Sequence, residues 1–192
     1  MRSSITLAIA LATASSASLV QLSGGHSPSR VAASLSIIES AKVLDDATIV
    51  YIFDEANTAD METGQLAVDR GRTKEVRDFG ATMVRDHKAA RQLGRDLAKK
   101  LGVTPTAPAD DPYAKGHAAA MTKLKALKGA SFDKPYLQHE VAYHKAVIEA
   151  INGTLLPATK NEELRALEVK IVPAFQAHLL MGETLEKKIS GI

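Results

Sequence analysis

His87, His144 and His178 each interrupt an apolar stripe, and each falls near the middle of a different predicted long helix. An imidazole is a poor occupant of a position that otherwise takes Leu or Val, unless its nitrogens find partners. Three such rings at similar depth predict that they face one another, and a metal ion is the simplest partner they could share. A fourth predicted helix carries Glu55 and Glu62, one heptad apart on the flank of its stripe. Glu62 with His87, His144 and His178 makes a mixed nitrogen and oxygen set suited to one ion of Zn, Fe, Mn, Ni or Cu. Glu55 and Glu140 are further donors. Glu140 stands one turn before His144 and can instead accept from an imidazole N–H. Asp86 adjoins His87 but is turned about 100° from it, which assigns it an outer contact or a solvated face. His26, His117 and His139 lack the central pattern and read as surface residues. The same positions admit a different class of protein. It would be a structural or interaction protein whose central histidines form a metal-free hydrogen-bond network with each other, Glu62 or Glu140.

Such a constellation needs four long helices to position it. The first is predicted from Asp45 to Arg70, capped by Asp45 or Asp46 and stopped at Gly71, with Ile49, Ile52, Phe53, Ala56, Ala59, Thr63, Leu66 and Ala67 inward. The second runs from Thr73 to Leu101 and ends at Gly102, with Pro105 and Pro108 preventing resumption. About thirty residues then precede the next long helix, more than a helical hairpin needs. They contain a short amphipathic piece from about Pro112 to Leu127. A connection of that size can run the length of a bundle, so the second and third long helices can lie parallel, as in ferritin-like crossovers. The third is expected from Phe132 to Asn152, capped by Ser131 and closed by Asn152-Gly153. The fourth is expected from Asn161 to Ile189, with Leu164, Ile171, His178 and Leu185 spaced by sevens and Pro173 inside the pattern as a kink.

Composition narrows the classes. The 192 residues carry 24 Lys+Arg against 22 Asp+Glu, with few aromatics, no Trp and no Cys. Strand-forming runs are scarce, so the fold class is all-α: a four-helix bundle with a short helix in the long connection. The absence of Cys excludes disulfides and thiolate zinc sites. Balanced, interspersed charge excludes a nucleic-acid surface, and the Lys123, Lys125 and Lys128 run reads as a solvated helix face. No phosphate loop, His-Glu-x-x-His or Gly-x-Ser-x-Gly pattern occurs, so no reaction or catalytic residue is named. Arg2, the apolar run Ile5 to Ala14 and the small residues through Ala17 read as an export signal over 1–17. A flexible tether over 18–44 and a helical domain over 45–190 follow. The mature chain has no segment able to span a bilayer.

The stretches Ala59-Asp60-Met61-Glu62-Thr63-Gly64-Gln65-Leu66-Ala67, Phe79 through Met83-Val84-Arg85-Asp86-His87, and Gly129 through Tyr136, with His144, Pro173 and His178, resemble a bacterial exported family catalogued as domain of unknown function 4142. The resemblance spans about Thr48 to Ile189. It implies a ferritin-like bundle and export, and supplies no activity. Its members are often labelled outer-membrane proteins. Without barrel strands or a lipid-acceptor Cys, a periplasmic location fits better, with outer-membrane association as the alternative. Three residues before His87, His144 and His178 stand Val84, Val141 and Phe175. Di-iron bundles place carboxylates there, so ferroxidase chemistry is not carried over and one ion is expected rather than two.

Overall fold

The computed structural model describes residues 44–109 and 111–191. The expected signal segment, nearly all of the tether, and His26 lie outside the described residues. Among the described residues, five α-helices of more than three residues carry the fold: α1 (Asp46–Arg70), α2 (Lys74–Leu101), α3 (Pro112–Lys125), α4 (Asp133–Ala150) and α5 (Glu162–Ser190). Their starts follow local chemistry. Asp45 accepts from the Thr48 N–H at 2.8 Å, Thr73 accepts from Val76, and Asn161 accepts from Glu163 and Leu164. Each bond satisfies a backbone donor that the first turn leaves open. Gly102 and Gly191 end α2 and α5 at φ 65° and 71°, a conformation a side chain would strain.

Two local expectations fail. Ser131 does not cap α4. It closes a 3₁₀ turn over Gly129–Ser131, its hydroxyl donating to the Lys128 carbonyl at 2.8 Å. Nor does Asn152-Gly153 end that helix. The chain widens into a π turn over Ile151–Leu155 and continues as a helical turn, Leu156–Ala158. Ile151 and Leu155 are buried, so packing holds the turn that Gly153 would otherwise release. Thr159 then terminates it, its hydroxyl bonding the Leu155 carbonyl at 2.8 Å.

Cross-helix contacts give the topology. Asp54 pairs with Arg95, and Asn57 bonds His87, so α1 and α2 are antiparallel. Tyr143 reaches the Ala56 carbonyl while Asp133 reaches Thr73, which makes α4 antiparallel to α1. Lys188 pairs with Glu75 and Lys100 with Glu163, setting α5 antiparallel to α2. Helices α2 and α4 are therefore parallel, and the long connection carrying α3 makes the crossover the sequence predicts. Asp133 fastens the α1–α2 corner by accepting from Arg72 N at 2.7 Å and from the Thr73 N–H and hydroxyl at 3.0 and 2.8 Å.

Close approach of α1 and α2 rests on glycines. A Cβ on Gly80 would lie 2.5 Å from the Gly64 carbonyl oxygen and 2.7 Å from the Ala67 Cβ. Glycine inside a helix ordinarily costs about 1 kcal/mol against Ala, and here it permits backbone contact. Gly80→Ala is expected to destabilise by about 1–3 kcal/mol through overpacking. Gly116→Ala in α3, where an added Cβ meets nothing within 4 Å, is expected to stabilise slightly. Thermal unfolding of the two variants checks the contrast.

The core is divided. One cluster gathers Ile49, Val50, Phe53, Val147, Ile151, Leu164, Ile171 and Phe175. Another gathers Leu66, Val76, Phe79, Met83, Leu124, Phe132, Tyr136 and Leu137. Between them in sequence on every long helix lie buried polar residues: Asn57, Asp60 and Thr63 on α1, His87 on α2, Glu140 and His144 on α4, and His178 on α5.

Candidate metal centre

The three histidines converge. Ring centroids of His87 and His178 are 5.1 Å apart, and each lies 5.5 Å from that of His144. One ligand nitrogen from each ring lies within 4.8 Å of the other two. All three residues are 4% exposed or less. A tetrahedral ion with bonds of about 2.1 Å would space neighbouring nitrogens about 3.4 Å apart, a change within reach of rotamer adjustment.

Second partners fix the rings. His87 Nδ1 lies 3.0 Å from Asn57 Oδ1. The Asn57 amide N–H donates to the Phe53 carbonyl at 2.7 Å, so its oxygen must be the atom facing His87. Nδ1 therefore donates, and His87 Nε2 carries the lone pair. His144 Nδ1 donates to the Glu140 carbonyl oxygen at 3.0 Å, which leaves Nε2 as its acceptor nitrogen. His178 Nε2 donates to Asp86 Oδ2 at 3.1 Å, which leaves Nδ1. His87 Nε2, His144 Nε2 and His178 Nδ1 have no hydrogen-bond partner among the described residues. Burial pushes all three rings below the usual imidazole range, His144 to about 4, and the neighbouring imidazoles add to the effect at His87 and His144. Near neutral pH the three rings are thus uncharged, and each keeps one buried nitrogen without a hydrogen-bond partner among the described residues.

Sequence reasoning missed Asp60. It is 3% exposed on α1, with Oδ2 3.5 Å from His87 Nδ1 and Oδ1 3.9 Å from His144 Nδ1. Glu140, 1% exposed, puts Oε2 3.8 Å from the same His144 nitrogen. Burial raises Asp60 well above the ordinary carboxyl range, the Glu140 charge adding to it, and burial raises Glu140 to about 7. Asp60, Glu140 and His144 form a second group with ligand atoms within 4.8 Å of one another. Tyr136, fully buried one turn before Glu140, is raised by burial and then by these two carboxylates; its hydroxyl has no hydrogen-bond partner among the described residues.

The expected glutamates go elsewhere. Glu62 is half exposed and bonds His117 at 2.8 Å, away from the three rings. It sits two positions from Asp60, on the other side of α1. Glu55 is half-buried and lines a groove between α1 and α3. Asp86 makes the outer contact assigned to it, holding His178 while paired with Arg85. His117 and His139 are not free surface residues. His117 belongs to the Glu62 pair, and His139 is half-buried against Tyr143, ring centroids 5.7 Å apart. Burial lowers His139 to about 4, with His117 contributing. Phe175 covers the centre, stacking on His87 at 4.9 Å and lying 6.1 and 6.3 Å from His144 and His178.

The sequence profile of a family described as Domain of unknown function (DUF4142) matches residues 32–185. Among solved structures, the crystal structure of a DUF305 fragment from Deinococcus radiodurans is similar, with a TM-score of 0.65. The match is 14% identical and covers 74% of this chain and 95% of the fragment. That likeness shows the fold alone. No curated protein matches the chain. Among the described residues, no helix is long and apolar enough to cross a membrane.

Proposed function

Because the chain belongs to the DUF4142 family, whose description assigns no activity, we propose its function from its own residues: it is an exported protein that binds one transition-metal ion through His87, His144 and His178, in envelope metal handling or stress tolerance. The observation that carries the reading is the set of three buried imidazoles, one nitrogen of each within 4.8 Å of the other two, each ring held by a hydrogen bond at one nitrogen and without a partner among the described residues at the other. Burial keeps the rings unprotonated, so each offers a lone pair rather than a charge. A cation would satisfy these buried nitrogens with three bonds. The rings cannot satisfy one another by hydrogen bonds while their N–H groups are engaged by Asn57, the Glu140 carbonyl and Asp86, which weighs against the metal-free network.

Orientation of metal-ligating imidazoles by outer acceptors is a recurrent way of fixing tautomer and basicity. Asn57, the Glu140 carbonyl and Asp86 perform that work here. A buried dication among neutral rings also needs nearby negative charge. Asp60 and Glu140 stand behind His87 and His144, where losing their protons supplies it, so that ion uptake releases protons. The chemistry such an ion offers in this setting is retention or Lewis-acid polarisation of a small bound species.

The test is elemental analysis of protein prepared without a His tag, with thermal unfolding before and after chelation and on addition of Zn, Cu, Fe, Mn or Ni. One ion per chain, with unfolding lowered by chelator, is expected. Absence of metal together with indifference to all five ions rejects the reading.

A further inference from the structure

A cavity of about 200 Å³ opens between α1, α3, α4 and α5. Its outer wall includes Glu55, exposed Glu62, Tyr113, and His117; its floor includes Asn57 and Phe175, 1% and 4% exposed. Those two floor residues are the ones that touch His87, through the 3.0 Å bond to Nδ1 and the 4.9 Å ring stack. The cavity therefore ends one side chain away from the imidazoles.

Resting on the metal reading above, we infer that this cavity is the path by which the cation reaches and leaves the three histidines, and that Phe175 is its gate. Carboxylates of Glu55, Glu62 and Asp111 line the cavity and concentrate cations at its outer part. The other approach, beside His178, is different. There the Asp86 carboxylate is paired with the Arg85 guanidinium at 2.7 and 3.1 Å, so its charge is already neutralised and does not draw a cation. Phe175 is the barrier common to all three rings, since its ring lies against each of them. It stands two residues after Pro173, which lies inside α5. Proline has no N–H to return to the preceding turn, so the helix is loosened where the gate must move.

A path sets the height of a barrier without changing the states on either side, so obstructing it slows uptake and release alike. The chain has no cysteine, so a single introduced one is uniquely addressable. Glu55→Cys carrying a bulky maleimide obstructs the cavity. Met181→Cys, 40% exposed and three residues after His178, carries the same label on the other approach. Co(II) uptake is followed by stopped-flow absorbance, and release by mixing with excess chelator. Labelling at position 55 is expected to slow both rates by at least about tenfold relative to unlabelled Glu55→Cys, with the dissociation constant unchanged. Phe175→Leu is expected to speed both. Unchanged rates after labelling at 55, or slowing only after labelling at 181, overturn the path while leaving the metal reading intact. Failure of the unmodified protein to take up Co(II) or any of the five ions overturns both.

Discussion

His178→Leu is expected to abolish metal-dependent stabilisation while leaving the metal-free protein as stable as before, or more so. The ring is 4% exposed and its Nδ1 has no hydrogen-bond partner among the described residues. Leaving such an atom buried and unsatisfied costs about 1–3 kcal/mol, which an apolar side chain of similar size recovers. The other nitrogen's partner, Asp86, keeps Arg85 and partial solvent contact, so losing the ring strands no buried charge. In the wild type, a saturating ion at 100 times its dissociation constant adds about 2.7 kcal/mol. For a domain of this size that is a rise of roughly 5–11 °C in Tm. The variant is expected to show none of it. Calorimetry with and without Zn or Co(II) measures both arms, and a metal-induced rise equal to that of the wild type would falsify ligation by His178.

Metal-free stability is expected to pass through a maximum near pH 6.5, because two sets of buried groups oppose each other. His87, His144, His178 and His139 have lowered values in the folded state, two of them about 4. Below about 6.5 the unfolded chain takes up protons that the folded rings refuse, so falling pH removes stability down to about pH 4. For His144 alone the difference corresponds to about 3 kcal/mol. Asp60 and Glu140 are shifted upward, Glu140 to about 7. Their contribution is present below the ordinary carboxyl range and is lost as pH rises through the folded values. For Glu140 that loss is again about 3 kcal/mol. From pH 4.5 to 6.5 four histidines outweigh two carboxyls and stability rises. Above 6.5 the histidines are neutral in both states, and only the carboxyls act, so stability falls. Urea unfolding in chelator from pH 4.5 to 9 gives the profile. Asp60→Asn with Glu140→Gln is expected to remove the descending limb and keep the ascending one. A wild-type curve that still climbs between pH 6.5 and 8 contradicts the assignment.

Helix boundaries were legible because caps and stops are local chemistry. Asp45, Thr73, Asn161 and Gly102 act where their side chains, or lack of one, predict. The crossover was legible from the length of the connection, and the three histidines from their place in apolar stripes. On α1 the predicted inward residues Ile49, Phe53, Ala59, Thr63, Leu66 and Ala67 are buried, while Ile52 and Ala56, which look like core, are only half-buried. The buried line is Ile49, Phe53, Asn57, Asp60, Gly64 and Ala67, also at helical spacing but interrupted by an amide and an acid. Counting only apolar and small positions as inward left Asn57 and Asp60 out, so the expected carboxylate fell at Glu62, two residues on and on the opposite side. The clue was the heptad from Phe53 through Asp60 to Ala67, which carries Asp60 inward between two core residues. Ser131 and Asn152-Gly153 carried sound local signals that tertiary packing overrode. His139 was assigned outward because no linear pattern records the lateral cover that Tyr143 gives it.

The division of the core by its polar midsection makes the sequence intolerant of sliding. Moving a long helix by one turn would set a carboxyl or an imidazole toward apolar neighbours such as Met83 or Phe53 and withdraw its complement from the layer. Greasy bundles can shuffle among near-equivalent alignments, since one leucine substitutes for the next. Here each strut carries its own polar notch, and only one alignment brings the notches level. Cohesion sacrificed at mid-height is returned as a single permitted assembly.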